Sequence, residues 1–330
     1  MINYQRARTI VGVLLLSWLY GCATPQTQFL LAMPSQNLAS RVELLDVPFY
    51  AQELHQCGPA SLAMALNAAA AQVTMEKLSE QVYLPGRQGS LQIEMLSATR
   101  RNGYVAYPLA PKLSDVLAEV AAGRPVVVLE NLAFNWYPFW HYAVVVGYDL
   151  ARQEIILRSG LEARQVLPLK TFEHLWARGG YWAMLVVPAG QLPATANEAD
   201  YMTAVVALEK VSNLSRAEAA YRAGLQRWEN NLTAWIGLGN VRYAQGDMQS
   251  AEQSFRQASL RHPESAIAYN NLAQTLLEQQ RYAEALVAVA HAISLGGDAQ
   301  AAAFATQAQI KSLLDKDGLA KECCAISTHD

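Results

Sequence analysis

QELHQCGPASLAMAL, residues 52–66, is the stretch from which the rest of the chain is read. Cys57 is followed at once by Gly58 and Pro59, then by Ala60 to Ala71, a run rich in Ala, Leu and Met without a breaker. That run predicts a buried helix. Pro59 is tolerated only in the first turn of a helix, so Cys57 is expected at or just before the helix N-terminus. The unpaired N–H groups and the positive end of the dipole there favour a thiolate over a thiol. A thiolate is the competent nucleophile for covalent catalysis. Read alone, a Cys before an apolar helix is more commonly a small buried hydrophobe.

Two further residues bear on that choice. Gln52 stands five residues upstream, where its amide can fold back and donate to an oxyanion together with the Cys57 N–H; otherwise it is a polar loop residue. His141 heads HYAVVVGYD, in which the β-prone run Tyr142 to Val146 ends in Gly147. A His at the start of a buried strand can present its ring to a helix N-terminus across a cleft, or it can simply cap the strand.

The QxxxxCGPASLA segment, the AGRPVVVL strand (residues 122–129) and the HYAVVVGYD strand occur together between about residues 45 and 188. In this combination the region resembles the papain-like double-glycine leader peptidases, the processing domains of bacteriocin exporters. The resemblance implies an α+β papain-like cysteine peptidase fold, with the Cys helix packed on an antiparallel sheet that carries the His. It implies Cys57 as nucleophile, His141 as general base and acid, and Gln52 as oxyanion donor. The family places an Asp on the strand after the His. Here that place reads LRSG, residues 157–160. Ser159 is the nearest polar candidate to orient the imidazole, and Asp149 and Glu162 are less well placed. A Ser hydroxyl accepts from the ring N–H but cannot stabilise an imidazolium by charge. No transporter domain accompanies the region, so the family's double-glycine specificity is not carried over.

The 330 residues suggest about two domains. Charged residues make up 16 % and apolar residues 52 %. A net charge of −3 and no basic patch interleaved with aromatics speak against nucleic acid as a partner. No Cys/His spacing suggests zinc, no Gly-rich phosphate loop is visible, and no cofactor is expected.

Arg6 and Arg8 precede an apolar run, Ile10 to Tyr20, with the form of a signal peptide covering residues 1–21. Leu19-Tyr20-Gly21-Cys22 resembles the lipobox of bacterial lipoproteins, with a bulky Tyr20 where a small residue is usual. The resemblance implies lipidation of Cys22 and a membrane anchor. Ala23 after the Cys implies an outer-membrane destination facing the periplasm. Residues 22–44 read as a tether, and Val47 to Tyr50 as a short strand entering the catalytic segment. Thr74 is expected to cap a helix to Val82, and Ser114 a helix from Asp115 to Ala122. NLAFNWYPFW, residues 131–140, places Trp136, Tyr137, Phe139 and Trp140 just before His141. These form either a structural plug or a wall of the substrate groove.

After a linker, residues 189–197, the texture changes to Ala, Gln, Leu and Glu. Trp235 recurs as Tyr269, Leu238 as Leu272, Ala251 as Ala285 and Ala258 as Ala292, a period of 34 residues. The pattern Trp235, Leu238, Gly239, Gly246, Ala251, Phe255, Ala258, Pro263 is similar to the tetratricopeptide repeat. It implies an all-α solenoid over residues 198–315, with a closing helix and a surface for a protein partner. Cys323 and Cys324 lie in a polar C-terminal tail, residues 316–330.

The chain thus reads as a lipid-anchored envelope cysteine peptidase acting on a peptide or protein substrate, with repeats that dock substrate or partner. A catalytically degenerate binding module on an envelope scaffold is the alternative, and a transglutaminase-like transferase shares the same thioester chemistry.

Overall fold

The computed structural model describes residues 24–33, 38–52, 55–211 and 214–316. The expected signal peptide, Cys22, Cys323 and Cys324 lie outside the described residues. The chain divides into two compact units, largely the residues before Val187 and those from Ala196 onward.

The first unit is built on a seven-stranded sheet. Its strands are β1 (Arg41–Glu43), β2 (Val105–Pro108), β3 (Val126–Asn131), β4 (Trp140–Asp149), β5 (Glu154–Ser159), β6 (Glu162–Pro168) and β7 (Ala183–Val187). Their order is β2-β7-β3-β4-β5-β6, with β1 beside β4. The β1–β4, β3–β4, β3–β7, β4–β5 and β5–β6 pairs are antiparallel. Every residue of β3 is buried, as are Tyr142 to Tyr148 of β4. Such uninterrupted burial means that both faces of the sheet are covered, and the strands accordingly read as apolar runs rather than alternations.

Among the described residues, six α-helices accompany the sheet: α1 (Pro25–Ala32), α2 (Cys57–Ala68), α3 (Met75–Val82), α4 (Gln92–Arg101), α5 (Leu113–Ala121) and α6 (Leu169–Arg178). Of these, α2 packs on β4 and β3, α5 on β4, β3 and β1, and α6 on β3, β5 and β6. Thr74 caps α3, accepting from Lys77 N–H. The expectation of a Cys helix on an antiparallel sheet matches this arrangement.

Three local expectations are corrected. Ser114 is not the cap of α5, which begins one residue earlier; Gln26 Oε1 accepts from Leu113 N–H instead, at 2.6 Å. Val47 to Tyr50 is not a strand. The Arg158 guanidinium takes the carbonyls of Leu45 and Val47, and Pro48 has no N–H to give a ladder. The described part of the tether contains β1 and the helix α1. The Glu173 carboxylate accepts from the N–H groups of Gln26 and Thr27, at 3.0 and 2.6 Å, so α6 supplies the anion that the α1 N-terminus requires.

Among the described residues from Ala196 onward the regular elements are helices: α7 (Glu198–Glu209), α8 (Leu214–Arg227), α9 (Leu232–Ala244), α10 (Met248–Arg261), α11 (Ala266–Glu278), α12 (Tyr282–Leu295) and α13 (Gln300–Lys316). Each helix packs on the next. Asn197, Asn231, Asp247 and Ser265 cap α7, α9, α10 and α11 with their side-chain oxygens. The small residues of the repeat are the points of close approach. Ala217, Ala251 and Ala285 are fully buried, and a Cβ on Gly239 would stand 2.4 Å from the Phe255 ring. Among the described residues no helix is long and apolar enough to cross a membrane.

Candidate active site

Cys57 is the first residue of α2. Gly58 beside it is required by space, since a Cβ there would stand 2.2 Å from Ser90 Oγ. The Cys57 sulfur is half-buried, and the nearby backbone of Tyr142, Gly58 and Cys57 itself acts to lower its pKa. These groups favour a thiolate, as expected of a helix start. Burial opposes them and prevails, so the thiol is pushed up rather than down. The helix start favours a thiolate, but at this position desolvation outweighs the backbone donors.

His141 is the second residue of β4, and its Nε2 lies 2.9 Å from Ser159 Oγ at the end of β5. Arg158 pairs with Val144, and strand alternation then puts Ser159 on the face of β4 that carries His141. Burial pulls the imidazole down to about 4, so the ring is neutral at pH 7. The structure brings His141 and Ser159 together and sets the Cys57 sulfur against the main chain of Tyr142, the residue after His141.

Gln52 is buried between α2 and the β5–β6 turn. Its Oε1 accepts from Gly160 N–H at 2.9 Å, and its own N–H donates to Gly160 O. Its Nε2 donates to Ser61 Oγ at 3.1 Å, and Ser61 Oγ donates to Tyr142 O at 3.1 Å. One of the two Nε2 hydrogens is thus committed to a buried relay that ties the Cys helix to β4 and to the turn after Ser159. Sequence reasoning missed Ser61; the signal was a hydroxyl one turn beyond the Cys on an otherwise apolar helix face. Of the other candidates for a third member, Asp149 Oδ1 accepts from Arg152 N–H and neither it nor Glu162 hydrogen-bonds the imidazole, whose partner is Ser159.

The aromatic segment is not a plug. Trp136 and Tyr137 are 82 % and 71 % exposed, and Phe134, Phe139 and Trp140 are exposed beside them. It forms the tip of the β3–β4 hairpin, where Asn131 Oδ1 accepts from the N–H groups of Ala133 and Phe139. Phe134 and Trp136 stack at 5.6 Å, and Arg178 donates to Ala133 O.

Residues 44–184 match the model of the Peptidase_C39 like family. The match therefore spans the Cys helix, the His strand and the sheet from β2 to the start of β7. Residues 202–259 and 238–300 match a tetratricopeptide repeat model, so a C39-like domain is followed by helical repeats. No curated protein matches. Among solved structures, a protein described as a C39-like peptidase from Bacillus anthracis is 23 % identical, with a TM-score of 0.38 over 45 % of this chain and 98 % of that one. The Yersinia enterocolitica type III secretion chaperone SycD, solved with a peptide of the translocator YopD, is 16 % identical, with a TM-score of 0.33 over 36 % and 96 % of the two chains. MamA is 16 % identical, with a TM-score of 0.34 over 39 % and 73 %.

Proposed function

We propose that the chain is a lipid-anchored envelope cysteine peptidase that cleaves a peptide or protein substrate through a thioester on Cys57, with the repeats docking substrate or partner. Cys22 carries the anchor in this reading and holds the protein at the outer membrane, facing the periplasm. The observation that supports the chemistry best is the His141 Nε2–Ser159 contact, which leaves Nδ1 to serve the sulfur.

The suitable tautomer carries its proton on Nε2 and donates it to Ser159 Oγ. Nδ1 is then the base. Burial keeps both thiol and imidazole neutral at rest, so the proton leaves Cys57 for Nδ1 as the sulfur attacks the substrate carbonyl. The Cys57 N–H and the remaining Nε2 hydrogen of Gln52 receive the oxyanion. The imidazolium gives its proton to the leaving amine as the C–N bond breaks. Water, deprotonated by Nδ1, then hydrolyses the thioester and restores the thiol. The exposed Trp136, Tyr137, Phe139 and Trp140, immediately upstream of His141, serve as a wall for the substrate.

A degenerate binding module is favoured by two observations: Ser159 stands where an acid would hold the imidazolium, and burial keeps the thiol protonated. Incubating the full chain with a mixed peptide library separates the two readings. Hydrolysis products present with wild type and absent with Cys57→Ala are expected of the peptidase. Identical peptide profiles from both proteins would leave only the binder, and amine incorporation without hydrolysis would indicate the transferase.

A further inference from the structure

Glu130 is the penultimate residue of β3 and pairs directly with His141 of β4. Directly opposed residues of an antiparallel pair point to the same face, with Cβ atoms about 5 Å apart. Glu130 therefore shares the sheet face of His141, on the strand that flanks β4 on the side away from Ser159. It is 1 % exposed, and its Oε1 is buried without a hydrogen-bond partner. A carboxyl in that state is costly and calls for a physical reason.

We infer that Glu130 is a positioning residue for His141, its carboxylate supplying from β3 the negative charge that Ser159 cannot supply from β5. The inference rests on the Cys57–His141 reading proposed above. In the step it serves, the Cys57 S–H bond breaks, an N–H bond forms at Nδ1, and the electron pair stays on sulfur. Glu130 exchanges no proton; its charge steadies the imidazolium while that cation exists. Burial pushes the Glu130 carboxyl up to about 7 and the imidazole down to about 4. Between those values both groups are neutral and exert little on each other. Above about 7 the carboxylate ionises and draws the proton of Cys57 toward His141.

The elements packed against β3 bring few competing charges. Cys57 is the titratable group of α2, and β7 carries none. On β4, besides His141, stand Tyr142, Tyr148 and Asp149. On α6, Glu173 is bound to the α1 N-terminus and Arg178 to Ala133 O, with Lys170 and His174 on the same helix. On α5, Glu119 holds Arg124 and Thr195, with Asp115 near the helix start.

The test is the rate of Cys57 alkylation by iodoacetamide in the full chain, followed across pH for wild type, Glu130→Gln, Glu130→Asp and His141→Ala. Wild type is expected to gain reactivity through a limb near pH 7. Glu130→Gln, which fills the same space, is expected to lose that limb and to react roughly ten- to hundredfold more slowly above it. Glu130→Asp is expected to restore a limb, which a packing role would not do. A limb unchanged in Glu130→Gln but abolished in His141→Ala overturns the inference and spares the catalytic pair. Equal loss in the Gln and Asp variants also overturns it. Equal rates in wild type and His141→Ala overturn the pair and the inference together.

Discussion

At the scale of single residues, the site is governed by a contest between burial and donors. The backbone of Tyr142, Gly58 and Cys57 favours the anion, yet the thiol is pushed up, because a half-buried anion loses more hydration than those dipoles return. The sequence makes the donors legible, since a Cys before Gly-Pro and an apolar run marks a helix start. It does not make the desolvation legible, which depends on how α2 lies against β4. Ser159→Asp places an acid on Nε2 and is expected to accelerate Cys57 alkylation at neutral pH by about tenfold or more; an unchanged rate would detach Ser159 from the imidazole.

Stability should register the same buried groups. Glu130 has its folded value raised, so the folded state binds more protons between about 4.3, the ordinary value, and about 7, and its contribution falls as pH rises through that window. His141 has its folded value depressed to about 4 from about 6.5, and its contribution rises as pH rises between those values. Relative to wild type, Glu130→Gln should therefore grow more stable from about pH 4.3 to 7, and His141→Ala less stable from about pH 4 to 6.5. Urea denaturation across pH checks both signs; parallel curves for all three proteins would contradict them.

At the scale of elements, what was legible is what is local. The Cys helix, the His strand and the cap at Thr74 follow from patterns a few residues long. The helix α1 is stabilised by Glu173, far along the chain, and an eight-residue segment with no amphipathic period gives no sign of that. The Gln52–Ser61–Tyr142 relay and the Glu130–His141 pairing were equally hidden, because register is fixed by the whole sheet. The aromatic hairpin tip could be read as plug or wall, and its exposure, which excludes the plug, depends on the tertiary packing. Glu173→Ala leaves two N–H groups of α1 without their acceptor and is expected to cost about 1–3 kcal/mol. Chemical denaturation of the full chain tests it, and an unmoved midpoint would contradict the role given to Glu173.

At the scale of the whole molecule, a C39-like domain is joined to helical repeats whose period was visible because each unit repeats the same packing problem. Small residues at Gly239 and Ala251 admit the neighbouring helix, and large ones such as Phe255 fill the space beyond. Gly239→Leu collides with the Phe255 ring and should destabilise the repeats by about 1–3 kcal/mol, seen by thermal melting. If the repeats dock protein substrate, the same variant weakens cleavage of a protein while leaving iodoacetamide alkylation of Cys57 unchanged; equal loss in both would contradict that division of labour. In the proposed peptidase, Cys57 and His141 act as one unit. The most direct test is the labelling rate of Cys57 by a peptidyl thiol electrophile, read by mass spectrometry in wild type and His141→Ala. Labelling is expected to be at least about a hundredfold slower in the variant, whereas equal rates would show that the two side chains do not act together.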